Sequence, residues 1–258
     1  CNVLQVLKLA GLRVVGVPRT PDGLDTAALE AILRADDADR PRALFTSSVL
    51  QNPTGSSMTA QNAYRVLQLA EQHGLWIVED DLHRELADPA APMLAALDGL
   101  RRTLYVSGFS KTISPSLRAG YVVADAAITR ELARTKMAVA LTSSEITERI
   151  VHAFVTRPVY AEHVARLIAR LGEAHTRVEA LMRQHGAEPF DTPGRGLFLW
   201  ARLPGQTDAS ALANRAIEHN IWLAPGQYFR PHDEPSPWLR FNVAYSAEPA
   251  LWEFLSHA

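Results

Sequence analysis

Several residue classes are scarce in this chain of 258 residues. It has a single cysteine, Cys1, so no disulfide can form within the chain, and such scarcity is typical of a reducing compartment. Lysine and arginine number 26 against 28 acidic residues, which leaves no basic surplus for nucleic acid. No apolar run reaches the length needed to span a bilayer. We therefore expect a cytoplasmic protein that binds neither membrane nor, through this chain itself, nucleic acid.

The signatures of several common enzyme classes are also missing. No serine lies in a Gly-x-Ser-x-Gly elbow, so serine hydrolysis has no support. The glycines form no nucleotide-binding fingerprint, and the nine histidines show no metal-ligand spacing with the acids, so we expect no metal. The hydrophobic content of 47% indicates instead an ordinary folded domain with a sizeable core.

Lys111 has the most informative surroundings in the chain. It follows a short apolar run and lies among hydroxyl side chains and a glycine, with Arg118 seven residues further on. An imine-forming lysine must be partly desolvated so that its amine is neutral near pH 7, and a phosphorylated cofactor needs small residues and a fixed cation nearby. The segment offers all three features. Taken alone, it also fits an exposed lysine at the end of a strand.

Two segments upstream of Lys111 carry further polar side chains. The segment from Asn52 to Gly55, Asn-Pro-Thr-Gly, is on its own only a turn, because proline fixes φ and glycine permits positive φ. The segment from Leu75 to Asp81 has the pattern of a buried strand that ends in acids. Such acids are more often solvated loop residues than catalytic ones.

The predicted strands decide between these interpretations. Short buried strands are predicted at residues 43–47, 75–79 and 103–107. An amphipathic helix over 59–73 separates the first two, which is the β-α-β order of a parallel sheet. Ligands bind such sheets beyond the carboxyl ends of the strands. Because Asn52, Asp80 and Lys111 each follow a strand, we expect these three side chains at one edge.

A fourth strand, predicted over 119–124, begins only eight residues after Lys111. Eight residues are too few for the helical crossover that a parallel strand requires, so this strand should run antiparallel. That geometry returns Arg118 to the same edge as Lys111.

Together these segments resemble the cofactor site of the fold-type I aminotransferases of class I/II, which depend on pyridoxal 5'-phosphate. The runs Glu79-Asp80-Asp81 and Phe109 to Arg118 are similar in particular to the aminotransferase-like domain of bacterial regulators of the MocR/GntR type. The resemblance implies that Lys111 is the catalytic residue and forms a Schiff base with the cofactor.

The resemblance also implies how the other residues would bind the cofactor. Asp80 would pair with the pyridine nitrogen, with its neighbour Asp81 as the competing candidate. Asn52 would donate a hydrogen bond to the phenolic oxygen, and Arg118 and Ser110 would contact the phosphate.

Arg240 lies far downstream, where it interrupts the apolar pattern of a strand predicted at 239–243. A planar guanidinium binds a carboxylate through two parallel hydrogen bonds, which lysine cannot reproduce. The resemblance implies that Arg240 binds the substrate α-carboxylate, whereas a surface arginine on an edge strand is the alternative.

Two positions depart from the family pattern. The family usually has tyrosine two or three residues after the pyridine-binding aspartate, where this chain has Leu82 and His83. His83 would supply a similar donor to the cofactor, although an ordinary surface histidine fits the sequence nearly as well. Gly108 replaces a phosphate-binding serine or threonine, so that contact is lost or is made by Ser107 or a backbone amide.

The fold class implied is α/β, with the mostly parallel sheet of the fold-type I large domain, one antiparallel strand and a small α+β C-terminal domain. We predict a large domain at 1–140, connecting helices at 141–185 and the small domain at 186–258. Residues 12–17 read as a further strand. Because the chain opens directly on a helix and without methionine, we expect the N-terminal part of the large domain to be missing.

Three functions fit this sequence. The first is an aminotransferase that acts on an amino acid and a 2-oxo acid, in a homodimer such as the family usually forms. The second is the cofactor-binding sensor domain of a MocR/GntR-type regulator, with a DNA-binding module upstream. The third is another fold-type I reaction, such as that of a lyase or decarboxylase.

Overall fold

The computed structural model describes residues 2–35 and 40–257, so Cys1 lies outside the described residues. The helices are α1 (Asn2–Leu9), α2 (Thr26–Leu33), α3 (Ala60–His73), α4 (Leu94–Asp98), α5 (Ala126–Ala140), α6 (Glu145–Val155), α7 (Pro158–Gln184), α8 (Ala209–Glu218) and α9 (Pro249–Ser256). The strands are β1 (Arg19–Thr20), β2 (Gly23–Leu24), β3 (Ala43–Thr46), β4 (Trp76–Asp80), β5 (Thr103–Gly108), β6 (Gly120–Val123), β7 (Glu188–Pro189), β8 (Phe198–Arg202), β9 (Ala224–Pro225) and β10 (Trp238–Asn242).

In the described part of the chain, two sheets have four strands each, and the one with the longer strands, called the larger sheet, has the order β3-β4-β5-β6. The first three strands are parallel, and β6 returns antiparallel to β5 with Gly108 opposite Gly120. Both the parallel core and the antiparallel fourth strand confirm the predicted fold class. The carboxyl ends of β3, β4 and β5 therefore lie at one edge, which also receives the start of β6.

Helix α3 connects β3 to β4 and has clear sequence signals at both ends. The Thr59 side chain accepts a hydrogen bond from the Asn62 amide at its start, and Gly74, with φ of 64°, ends it. Its buried residues recur at helical spacing and pack on the sheet: Ala63, Val66, Leu69 and Ala70. This packing holds α3 against β3 and β4, whose parallel pairing sets their carboxyl ends side by side.

The smaller sheet is antiparallel, in the order β7-β8-β10-β9. Its two central strands pair along five positions, with Arg240 opposite Trp200. One face carries Leu199, Ala201, Leu239 and Phe241, which are buried in a core with residues of α7, α8 and α9. Since side chains alternate along a strand, Arg240 lies on the other face.

The core beneath the smaller sheet also includes residues of the first half of the chain. Val49 and Leu50, from the loop after β3, and Leu86 belong to the same buried cluster as Leu199 and Leu239. The two sheets are thereby joined through apolar contacts next to Asn52. The domain boundaries at residues 140 and 185 remain a prediction.

One strand prediction is wrong. Residues 12–17 form no strand within the part of the chain that the structure describes, although their apolar pattern suggested one. An extended segment becomes a strand only when a neighbour satisfies its backbone groups, and here no described strand pairs with it. Among the described residues, no helix has the length and apolar character needed to cross a membrane.

Candidate active site

The loop after β3 forms a compact turn that presents Asn52. The Gln51 side-chain oxygen accepts hydrogen bonds from the Thr54 amide at 3.1 Å and the Thr54 hydroxyl at 2.7 Å. Gly55 has φ of 73°, and a Cβ there would lie 2.5 Å from the Phe198 carbonyl oxygen, so only glycine fits. The turn is thus pressed against β8, and the Asn52-Pro53 bond is cis.

Arg240 reaches this turn from β10. Its Nη1 donates to Asn52 Oδ1 at 2.8 Å. The guanidinium carbon lies 4.4 Å from the ring centre of Phe198 and 5.1 Å from that of Phe229, so aromatic rings contact the cation. These rings were not identified from the sequence. The alternation along β8 places Phe198 on the face of Arg240, which is the signal that could have found one of them.

The charge of Arg240 has no acidic partner among the described residues. Burial lowers the pKa of Arg240, and its Nε is buried without a hydrogen-bond acceptor in the described structure. A partly buried cation with only a neutral amide as partner is incompletely satisfied. A carboxylate ligand would supply both the missing charge and the missing acceptor, which fits the role predicted for Arg240.

The two neighbouring aspartates at the end of β4 have different surroundings. Asp81 is 1% exposed, and its Oδ2 accepts a hydrogen bond from Arg84 Nε at 2.6 Å. Arg84 also donates to Ser48 Oγ and to the Pro92 carbonyl, so the pair ties three segments together. Burial raises the pKa of Asp81 to about 6, against the opposite effect of Arg84. Asp81 is therefore engaged in a structural ion pair.

Asp80 is half-buried and has no ion-pair partner in contact within the described chain. Its Oδ1 accepts a long hydrogen bond of 3.4 Å from the Leu82 amide. Burial raises the pKa of Asp80, whereas the Leu82 amide and the charge of Lys111 lower it. Of the two acids, Asp80 is the one available for a cationic ligand atom, and Lys111 is close enough to influence it.

His83 is an interior residue, 8% exposed, and not the surface histidine that the sequence allowed. Burial, and then the charges of Lys111 and Arg240, lower the pKa of His83 to about 4. Its ring meets Phe198 edge-on at 5.9 Å, and its Nε2 is buried without a hydrogen-bond partner in the described residues. A neutral imidazole with an unsatisfied nitrogen beside two cations fits a site that receives an anionic oxygen.

Lys111 lies three residues beyond β5, half-buried, and its charge acts on both Asp80 and His83. The structure thus brings Lys111, Asp80 and His83 near one another, and the charge of Arg240, which is bonded to Asn52, also acts on His83. Among the described residues, no group of histidine, cysteine and acidic side chains could hold a metal ion.

The predicted phosphate contacts lie on the turn between β5 and β6. Ser110 is half-buried beside Lys111, and Arg118 is exposed in a left-handed conformation with φ of 49°. Ser107 cannot serve as the replacement anchor without losing its present bond, because its hydroxyl donates to the Asp81 carbonyl at 3.0 Å. The roles of Ser110 and Arg118 remain predictions.

The glycine at position 108 has a steric cause. A Cβ on Gly108 would lie 2.9 Å from the Ala119 carbonyl oxygen and 3.0 Å from the Gly120 Cα. Both contacts are with backbone, which cannot move aside without disturbing the pairing of β5 and β6. The close approach of these strands therefore leaves room only for glycine at this position.

Comparison with known proteins agrees with this geometry. The sequence model of the family described as aminotransferase class I and II matches residues 2–257. The chain therefore belongs to this family of pyridoxal-phosphate-dependent proteins, and the predicted family, fold class and cofactor class are confirmed.

Individual relatives are of two kinds. The chain is 32% identical over 250 residues to a 2-aminoadipate transaminase of Thermus thermophilus. This match covers 94% of this chain and 62% of that protein. It is 31% identical over 249 residues to the uncharacterized HTH-type transcriptional regulator YdcR of Escherichia coli. That match covers 95% of this chain and 52% of that protein. The chain thus spans between half and two thirds of the length of these relatives.

Solved structures have the same fold. The α-aminoadipate aminotransferase LysN of Thermus thermophilus, complexed with N-(5'-phosphopyridoxyl)-L-leucine, superimposes with a TM-score of 0.86 at 29% identity. It covers 98% of this chain, which spans 66% of that structure. An archaeal alanine:glyoxylate aminotransferase has a TM-score of 0.90 at 21% identity, with 99% of this chain and 66% of that chain covered, a likeness of fold.

The surroundings of His83 lead to a testable titration. In the cofactor-free protein, its imidazole should stay neutral from pH 7 down to about pH 4, because burial and two nearby cations oppose its protonation. Nitrogen-15 NMR of the histidine rings measures this directly, and His83→Gln identifies the signal. A midpoint near the ordinary value of about 6.5 would contradict the buried position.

Proposed function

We propose that this protein is a pyridoxal-phosphate-dependent aminotransferase that transfers an amino group from an amino acid to a 2-oxo acid. The proposal rests mainly on one observation: Lys111, Asp80 and His83 lie close together beside Arg240. The charge of Arg240 lacks an acidic partner in the described structure. An amine, a free carboxylate and an anion-binding guanidinium are the groups that this chemistry requires.

The cofactor, when bound, supplies a reactive aldehyde and a ring that withdraws electrons while its pyridine nitrogen is protonated. Lys111 would hold the cofactor covalently, and its amine would move the proton of the substrate Cα as general base and acid. Asp80 holds the proton of the pyridine nitrogen. Its half-buried position strengthens that contact, because solvent screens it less than at the surface.

Asn52 and His83 bind the phenolic oxygen of the cofactor in this proposal. The Asn52 Oδ1 already accepts a hydrogen bond from Arg240, which leaves its amide nitrogen free to donate. His83 offers its unsatisfied Nε2 as a second donor, in place of the tyrosine that the family usually has. Ser110 and Arg118 bind the phosphate, and the exposed guanidinium of Arg118 provides the charge.

Arg240 binds the α-carboxylate of the substrate. The aromatic rings of Phe198 and Phe229 contact the guanidinium, and Asn52 accepts from Nη1. A fixed guanidinium loses little conformational freedom when the carboxylate arrives, which favours binding. Because Asn52 contacts both Arg240 and, in this proposal, the cofactor, it also sets their separation.

A second function is favoured by the relatives that are regulators, such as YdcR of Escherichia coli and YdfD of Bacillus subtilis. In a sensor domain the same residues would bind cofactor and amino acid, and the full-length protein would bind DNA through another module. A turnover assay of the full-length protein with amino acid and 2-oxo acid separates the two functions. A sensor would bind the cofactor and the amino acid without transferring the amino group.

The covalent role of Lys111 has a direct test. Borohydride treatment of the full-length protein loaded with pyridoxal phosphate should leave a reduced adduct on the peptide that contains Lys111, because this amine is the one beside Asp80 and His83. Peptide mass spectrometry detects it, and Lys111→Ala should abolish it. Lys136→Ala, at an exposed lysine of α5, is the matched control and should leave the adduct unchanged. An undiminished adduct in Lys111→Ala would rule out the assignment.

Substitution of the two aspartates should have different effects. Asp81→Ala strands the half-buried Arg84 cation, so the free energy of unfolding in urea should fall by about 3 kcal/mol or more. Asp80→Ala should leave stability nearly unchanged but slow the half-reaction with an amino acid by more than about tenfold, or 1.4 kcal/mol in the barrier. Stopped-flow absorbance measures the rate. The reverse result, a slow reaction only in a stable Asp81→Ala variant, would assign the cofactor to Asp81.

We further propose that the full-length protein is a homodimer in the cytoplasm. Helix α5 has no buried residue, and apolar side chains at and just after its end are largely exposed: Met137, Val139 and Leu141. Exposed apolar side chains that cluster on one element are typical of an interface.

Sedimentation velocity of the full-length protein should therefore show a dimer that Val139→Glu weakens, because the charge would be buried at the interface. Trp222→Glu, at an exposed aromatic residue of the smaller domain, is the control. A monomer would contradict the proposal, and a dimer weakened only by Trp222→Glu would place the interface elsewhere.

A further inference from the structure

The residue after Lys111 is held from two sides by one helix. Thr112 is 3% exposed, although it lies in the turn between β5 and β6. Its hydroxyl accepts a hydrogen bond from the Tyr160 hydroxyl at 3.1 Å, and its carbonyl accepts one from His163 Nε2 at 2.7 Å. Tyr160 and His163 both belong to the first turns of α7, three residues apart and hence on the same side of the helix.

The chemistry of these two contacts is well defined. A carbonyl oxygen can only accept, so His163 must carry its proton on Nε2. Tyr160 is half-buried, and this burial raises the pKa of its hydroxyl, so the group stays protonated and able to donate. Both donors end on the same residue, Thr112.

Helix α7 is a rigid support for these contacts. Its later turns are buried under the smaller sheet through Leu171, Val178 and Met182. His175, midway along the helix, lies with Nε2 3.2 Å from the Gly196 carbonyl, just before β8. Helix α7 is thereby anchored to the same core that supports the strand of Arg240.

The main chain beside Lys111 is therefore constrained on its carboxyl side. With both the hydroxyl and the carbonyl of Thr112 bonded, the backbone at Thr112 has little freedom, and the Ile113 amide donates to the Phe109 carbonyl at 2.8 Å across Lys111. The long stem of Lys111 can still move. What is held is the point from which that stem starts, and this reduces the volume its amine can explore.

We infer that Tyr160 and His163 are positioning residues for Lys111, which they hold in place through Thr112. The inference rests on the proposed role of Lys111 in binding the cofactor covalently. Neither side chain needs to touch the cofactor or the substrate. Their effect is to raise the fraction of time that the Lys111 amine spends within reach of the cofactor aldehyde.

The first experiment needs no cofactor. Hydrogen exchange of the cofactor-free, full-length protein should be faster in Tyr160→Phe and His163→Ala for the peptide over residues 108–117, because each change removes one bond to Thr112. Tyr64→Phe and His152→Ala, at exposed positions of α3 and α6, are the matched controls and should leave that peptide unchanged. Unchanged exchange in both test variants would overturn the inference whatever Lys111 does.

The second experiment measures covalent capture. The equilibrium constant for the visible-absorbing adduct of Lys111 with pyridoxal phosphate should fall about fivefold in each variant, the factor that corresponds to about 1 kcal/mol and to one hydrogen bond. Binding of pyridoxamine phosphate, which has the same phosphate and ring but no aldehyde, should change less than twofold, or about 0.4 kcal/mol. Equal losses for both compounds would show general damage to the site and overturn a positioning role.

His163→Gln provides the rescue. Its amide nitrogen lies the same number of bonds from Cα as the imidazole Nε2 and can donate to the Thr112 carbonyl. Exchange and adduct formation should therefore return toward the original values, and failure of this rescue with a normal thermal midpoint would contradict the hydrogen-bond mechanism. A further outcome is that exchange rises as expected while neither the unsubstituted protein nor any variant forms an adduct at Lys111. That outcome would confirm the contacts with Thr112 and show that the proposed function is wrong.

Discussion

The hydrogen bond from Arg240 to Asn52 joins residues that are 188 positions apart, and the arrangement of the site depends on it. Asn52 belongs to a turn at the end of the larger sheet, whereas Arg240 belongs to the center of the smaller one. The bond is supported by the packing of Gly55 against the backbone of β8 and by the common core of Leu50 and Leu199. Together these contacts bring the groups proposed for cofactor and substrate to the same place.

Much of this arrangement could be predicted because it depends on local patterns. The strands of the larger sheet, the helix between them and the short connection after Lys111 are encoded in periodicity and in loop length, which act over a few residues. The expectation that Asp80 and Lys111 would lie near each other followed from the topology alone. The choice of Asp80 over Asp81 came from a family resemblance, and the structure supplies a physical reason for it in the ion pair of Asp81 with Arg84.

The remaining features depend on contacts between distant segments, which a pattern does not contain. His83 is buried against Phe198, which comes from another sheet, whereas the sequence around His83 fits a surface position nearly as well. Alternation along β8 could place Phe198 on the face of Arg240, but the contact of its ring with the guanidinium depends on the register of β8 and β10. Residues 12–17 show the opposite error, because a strand-like pattern does not provide a pairing partner.

The close approach of β5 and β6 at Gly108 also has a consequence for how this sequence can change over time. A serine or threonine at position 108 does not fit this backbone by one substitution, because its Cβ would meet the backbone of Ala119 and Gly120. The two strands would have to move apart to accept the larger residue, at the cost of their pairing. Position 108 therefore excludes every side chain with a Cβ for as long as β5 and β6 keep this spacing.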